Sequence, residues 1–131
     1  MTAGYSGTPL PKKLGIKPGT RLLLDGVPDG FEWGDMPAGV VEAREGDADV
    51  IVSFHTQRAT VEAAIPRLRR RMDPAARFWV AWPKRASKVP TDVTEDVVRE
   101  IALANRLVDN KVAALSGVWS GLQLVIRVSD R

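Results

Sequence analysis

One histidine, four tryptophans and no cysteine bound the chemistry this chain can do. Without cysteine there is no disulfide, no thiolate nucleophile and no thiolate metal ligand. With His55 as the single histidine there is no histidine pair or cluster for a metal either, and no metal is expected. His55 follows the apolar run DVIVSF, at the end of a strand, where an imidazole titrating near neutrality is well placed to act as acid or base. No Gly-x-Ser-x-Gly motif accompanies it, and Ser53-Phe54-His55 is not a triad by adjacency. The plainer reading is a loop histidine hydrogen-bonded to backbone.

The stretch RFWVAWPKR is the second concentration of suitable side chains. Period-two alternation sends Trp79, Ala81 and Pro83 to one face of a strand and Trp82 to the other. Trp82 and Lys84 are therefore candidate pocket walls, with Lys84 meeting an anionic group and Ser87 assisting. Trp119, in Trp119-Ser120-Gly121, is a candidate second aromatic wall, and Trp33 a plug over the sheet end. Against this, a tryptophan beside a buried strand is most often core. The third candidate is Asp25-Gly26, in the segment Asp25-Gly26-Val27-Pro28-Asp29-Gly30.

These groups need elements to position them. RLLLD at 21–25 and DVIVSF at 49–54 are continuous apolar runs, as in parallel strands buried on both faces. A short strand at 40–43 is expected between them. Glycines and prolines between 26 and 39 leave no room there for a helix. Val61, Ala64, Ile65, Leu68 and Met72 recur at helical spacing over 57–72, with Pro66 expected to kink or break the helix and Asp73-Pro74 to end it. A third buried strand follows at 77–82. Asp92 with Glu95 reads as a capping box before a helix lined by Val93, Val97, Ile101 and Ala104, with Val98 beside them. Two closing strands are expected near 109–115 and 122–128, antiparallel to each other, the latter half-exposed and open to edge pairing in a homodimer.

Strands alternating with helices imply a parallel sheet with right-handed crossovers, hence a three-layer Rossmann-like α/β fold. The 131 residues suit one domain, with 1–19 as an N-terminal arm. No apolar run reaches the ~20 residues of a membrane span, and no signal peptide is evident, so a cytoplasmic protein without a membrane partner is expected. The net charge of +3 is mild. The arginines at 67, 69, 70 and 71 read as a solvated helix face, and the lysines at 12, 13 and 17 as a grip for an acidic partner. Neither cluster interleaves with aromatics, which disfavours nucleic acid and leaves a protein partner open.

With the elements in this order, the second half resembles the C-terminal half of Rossmann-like methyltransferases. Over nearly its full length the chain also resembles a family of small actinobacterial proteins of unassigned function. The residues carrying that likeness are YSGTPLPKKLGIKPG at 5–19, WVAWPKRAS at 79–87, TDVTEDVVRE at 91–100, LVDNKV at 107–112 and VWSGLQ at 118–123. It departs from the family in lacking a glycine near Arg106 and in having arginine at Arg85. The resemblance implies the fold and no activity. Methyltransferase-like proteins bind S-adenosylmethionine on a glycine-rich turn and the helix that follows the first strand. Here Pro28 removes a backbone donor and no helix is expected, although Glu42 or Glu45 stands about where a ribose-binding acid would. No cofactor is therefore the leading expectation, with S-adenosylmethionine as the lesser one. A non-catalytic binding or interaction module leads. A small enzyme or ligand sensor using Asp25, Gly26, His55, Trp82, Lys84, Ser87 and Trp119 comes second, and a basic adaptor for nucleic acid or an acidic protein third.

Overall fold

The computed structural model describes residues 7–131; the first six residues of the expected arm lie outside them. The described part of the arm carries α1 (Leu10–Leu14), and the chain then enters β1 (Arg21–Asp25). A long connection leads to the short β2 (Val41–Glu42), then β3 (Ala48–Phe54), α2 (Arg58–Arg69) and β4 (Met72–Pro83). A 3-10 turn at Arg85–Ser87 precedes α3 (Glu95–Ala104), β5 (Val108–Ala114) and β6 (Trp119–Val125).

The six strands form one sheet in the order β2-β1-β3-β4-β6-β5. β2, β1, β3 and β4 run parallel, and β6 is antiparallel to both β4 and β5. Helices α2 and α3 bury Val61, Ile65, Leu68, Val98 and Ile101 on one face, against Ile51, Phe78, Val80, Leu122 and Leu124. On the opposite face Leu10 and Leu14 of α1, with Ile16, cover Val50, Val52, Phe54 and Trp79. The segment 26–40, between β1 and β2, completes that layer with Phe31, Trp33 and Met36. The expected three-layer mixed α/β sheet is thus present, with one layer built partly from a nonhelical connection.

Several local expectations are corrected. β1 is not buried on both faces: Leu24 is 38% exposed, because β2 pairs with β1 only at Arg21 and Leu22 and leaves the far half uncovered. Pro66 neither breaks nor splits α2, which runs uninterrupted to Arg69. The bond it cannot donate belongs to the carbonyl of Glu62, an exposed residue whose carbonyl water can satisfy. Asp73-Pro74 does not separate helix from strand, since β4 begins at Met72 opposite Ala48 and absorbs the proline where its register shifts. The last strand is neither half-exposed nor an edge. It starts at Trp119, lies between β4 and β5, and is buried from Gly121 to Leu124. The edge is β5, blunted by a bulge between Asp109 and Lys111.

α3 is capped by Thr94, whose hydroxyl oxygen accepts the Val97 N–H, and not by Asp92. Asp92 instead accepts the backbone N–H of Arg58 at 2.6 Å, satisfying the first residue of α2 from another element. Glu95 and Asp96 in the first turn of α3 suit its dipole. Thr94→Ala should cost about 1 kcal/mol of stability in urea denaturation, while Asp92→Ala should leave the α3 amide protection unchanged. After α3, Arg106 takes a left-handed φ of 62°, the position where glycine was expected. No described helix is long and apolar enough to cross a membrane.

Candidate functional site

At the carboxyl ends of parallel strands, side chains are free of their ladder neighbours and can converge. β1 and β3 end together, with Asp25 paired in register to Ser53. Both side chains point toward α2. Ser53 Oγ lies 2.8 Å from Asp25 Oδ2 and 2.5 Å from His55 Nε2. His55 Nδ1 lies 2.7 Å from the Thr60 hydroxyl, which itself donates to the Gln57 carbonyl. Because Thr60 spends its proton on Gln57, it accepts from Nδ1–H, which assigns the proton of the neutral ring to Nδ1. Arg67 of α2 reaches Asp25 at 3.4 Å.

This chain of groups is closed to solvent at its centre. Ser53 is fully buried and His55 only 5% exposed. Burial pushes the imidazole below its ordinary range and the Arg67 charge adds to that, while the Asp25 carboxylate opposes it. Asp25 and His55 are thus brought together through Ser53, which the sequence reading set aside as no triad member. The usable signal was period two: Ser53 and His55 share a strand face, and the neighbouring strand ends on an acid. Gly26 stays at the turn because its φ is 67° and a Cβ there would stand 2.9 Å from the Phe54 carbonyl oxygen.

The other candidates fall elsewhere. Trp82 is buried in the α2–α3 core, and its edge lines an open cleft of about 540 Å³ with Lys84, Arg85, Lys88 and Ser120. Ser87 lies beside the cleft lining and shapes its loop: its hydroxyl donates to the Lys84 carbonyl at 2.7 Å and accepts the Val89 N–H at 3.3 Å. Trp119 sits on the opposite face, 5.2 Å from the Phe54 ring. Trp82 and Trp119 therefore do not wall one pocket. Phe54 also meets Phe31 at 5.0 Å and Trp33 at 6.0 Å, which makes Trp33 the plug it was expected to be. The rim of the Trp82 cleft meets the His55 region at Thr91, whose hydroxyl donates to the Thr56 carbonyl.

The basic clusters are less available than expected. Arg67 is drawn to Asp25, and Arg71 donates to the Gly46 and Ala43 carbonyls, so the run is not simply solvated. Lys13 turns inward to the Ala114 carbonyl at 2.9 Å, and burial with the nearby Lys111 and Lys84 charges lowers its pKa. Arg21 ties β1 to Asp49 and Asp73 at the amino ends of the strands, which holds the Asp49 carboxyl below its usual range. Among the described residues no three acidic or histidine side chains are grouped to hold a metal.

The sheet order and this strand-end chemistry invite comparison with known structures. The chain superposes on magnesium protoporphyrin IX methyltransferase from Synechocystis PCC 6803 with bound S-adenosylmethionine at a TM-score of 0.57 and 12% identity, covering 89% of this chain and 74% of that one. A TehB-like methyltransferase from Corynebacterium glutamicum matches at 0.57 and 14%, covering 95% and 91%. Fibrillarin from Aeropyrum pernix, with natively bound S-adenosylmethionine, matches at 0.55 and 14%, covering 93% and 70%. The fold is methyltransferase-like. No protein-family model and no curated protein sequence matches the chain. On this methyltransferase-like fold, the Asp25–Ser53–His55 chain occupies the strand ends and the aromatic plug covers the face beside them.

Proposed function

We propose that the protein is a non-catalytic binding module on a methyltransferase-like fold, its cofactor place closed by its own chain. The observation that carries this is the segment 26–40. It leaves β1 through Gly26 and reaches β2 without a helix, so it offers no helix N-terminus to cradle a cofactor. Phe31 and Trp33 pack edge-on against each other and against Phe54, filling the layer that such a helix would occupy. The residues here do not fit S-adenosylmethionine. Burial also supports the reading, since Ser53 and His55 are the best-matched nucleophile and base in the chain and neither is open to a substrate.

Titration of the tryptophan fluorescence with S-adenosylmethionine and S-adenosylhomocysteine tests this. Trp33 and Trp119 both pack on Phe54, beside β1 and β3, so an occupied site would perturb them. The expected result is a flat response with no rise in melting temperature. A ligand at a hundredfold excess over its Kd would add about 2.7 kcal/mol of stability, so a saturable signal with a clear thermal shift would overturn the reading.

A further inference from the structure

We propose that the cleft beyond β4 binds a small organic phosphate, with Lys84, Arg85 and Lys88 as its cationic partners. This rests on the binding-module reading and adds to it a place and a ligand class. The cleft lies on the α2–α3 side of the sheet, between the end of β4 and the start of α3, apart from the plugged strand ends. Its volume of about 540 Å³ falls within the few hundred to ~1,000 Å³ typical of small-molecule sites.

Its charge is unbalanced. Lys84, Arg85 and Lys88 all line it, and among the described residues no carboxylate lies within ion-pair distance of any of them. The acid on the rim, Glu95, is already held by Arg99 at 2.6 Å. Hydrogen-bonding capacity is unbalanced in the same sense. Thr94 spends its oxygen on the Val97 N–H, and neither its hydroxyl proton nor that of Ser120 has an acceptor among the described residues. Three cations and two hydroxyl protons are donors without an internal acceptor, which favours an acceptor-only group carrying more than one negative charge. A phosphate ester, at about −1.5 to −2 near neutral pH, has both properties. A single carboxylate has half the charge and two oxygens.

The backbone is also set for this. Lys88 takes a left-handed φ of 61°, a conformation that glycine adopts freely and lysine at a cost of about 1 kcal/mol. Ser87 holds the turn on either side, through the Lys84 carbonyl and the Val89 N–H. The result is a lysine on the cleft rim where turn chemistry alone would place glycine. Trp82, Pro83, Val89 and Val93 supply an apolar floor and wall for the organic part of the ligand, which inorganic phosphate alone would leave empty.

The test uses the full chain labelled with nitrogen-15 and titrated with inorganic pyrophosphate, AMP and adenosine in separate amide-resolved experiments. The expected result is saturable shifts confined to residues 84–95 and Ser120 for pyrophosphate and AMP, with AMP the tighter and adenosine silent. Lys84→Gln with Lys88→Gln should weaken AMP binding roughly tenfold or more, with an unchanged circular-dichroism melt, while Arg70→Gln should leave it intact. Failure to saturate, shifts spread over the α2 arginines, or equal shifts with adenosine would overturn the proposal. Tighter binding of a single-stranded oligonucleotide than of AMP would also overturn it, in favour of a nucleic-acid surface. Because Trp82 lines this cleft, S-adenosylmethionine is added to the same labelled protein. Shifts at 84–95 and Ser120 then mark the β4 end and shifts at 25–33 and 53–55 the β1 end, so the failure of one reading is not mistaken for the failure of the other.

Discussion

Replacing Trp79 with alanine is expected to remove about 3–5 kcal/mol of stability, the largest loss from any single truncation here. Trp79 is fully buried at the centre of the sheet, on the face covered by α1. Its ring lies over Gly121, where an added Cβ would come within 3.1 Å of it, and no side chain at that position can expand into the space it leaves. The indole N–H donates to the Leu14 carbonyl at 3.0 Å, at the last residue of α1. The ring therefore does two things: it fills the layer and it fastens the arm to the sheet. Trp79→Phe separates them. It keeps most of the apolar area but leaves the buried Leu14 carbonyl unpaired, at about 1–3 kcal/mol. Urea denaturation should rank the variants alanine, then phenylalanine, then wild type. Hydrogen exchange should show α1 losing protection in the phenylalanine variant before the helices on the other face do. A total stability of ~5–15 kcal/mol makes the alanine variant marginal at physiological temperature. A loss below about 1 kcal/mol would mean that α1 contributes little to holding that layer.

How much of this could be read from the residues depended on whether the determining force was local. RLLLD and DVIVSF declare themselves as parallel strands because apolar side chains must go to both faces, and β1 and β3 lie within a residue of where those runs place them. α3 declares itself by spacing, although Val93 precedes it and its buried side is Val98, Ile101 and Ala102, with Val97 half-buried and Ala104 exposed. Its cap does not, because Asp92 and Thr94 are both good capping residues two positions apart. What separates them is the N–H of Arg58, which belongs to another element and claims Asp92. The end strand misled for a similar reason. Leu122, Leu124 and Ile126 alternate with Gln123, Val125 and Arg127, but Gln123 is buried on the α1 side. Its amide nitrogen donates to Asn110 on the neighbouring strand, while its carbonyl oxygen has no partner among the described residues. A single bond across to the neighbouring strand is enough here to keep a polar side chain inside the sheet.

The candidate site divides along the same line. Trp82 and Lys84 are close in sequence and share a cleft; Trp119, separated from them by three elements, is on the other face. The segment 26–40 has no period, so nothing in it foretells that Phe31, Trp33 and Met36 will form a layer. Trp33 as a plug was inferred from its size beside glycines, a weaker ground than the three-ring contact around Phe54 that holds it.

Stability should fall as the solution is acidified through the His55 transition, and this fall should depend on Ser53. Burial lowers the imidazole pKa in the folded chain, so below the ordinary histidine value of about 6.5 the unfolded chain binds the proton first. A depressed folded pKa means that the stabilising contribution is complete above the unfolded value. It is lost as pH falls through the folded one, so the window opens below ~6.5 and extends downward. The groups around the ring set how steeply. Asp25 on β1 favours the imidazolium, Arg67 on α2 opposes it, and Ser53 stands between carboxylate and ring with one proton to give. With a neutral ring, Asp25 Oδ2 and His55 Nε2 compete for that hydroxyl proton. With a charged ring, Nε2–H donates to Ser53 and Ser53 donates to Asp25, so every contact is satisfied. The serine thus relays the carboxylate's support to the imidazolium across a buried site. Ser53→Ala should cost about 1–3 kcal/mol at neutral pH by stranding buried acceptors, and should steepen the loss below pH ~6.5 because the charged ring no longer has a partner. His55→Asn removes the titration, and its denaturation midpoint should be flat across the same window once the carboxylates are allowed for. Parallel pH profiles for wild type and His55→Asn would show that the imidazole is not the group that titrates on acid unfolding.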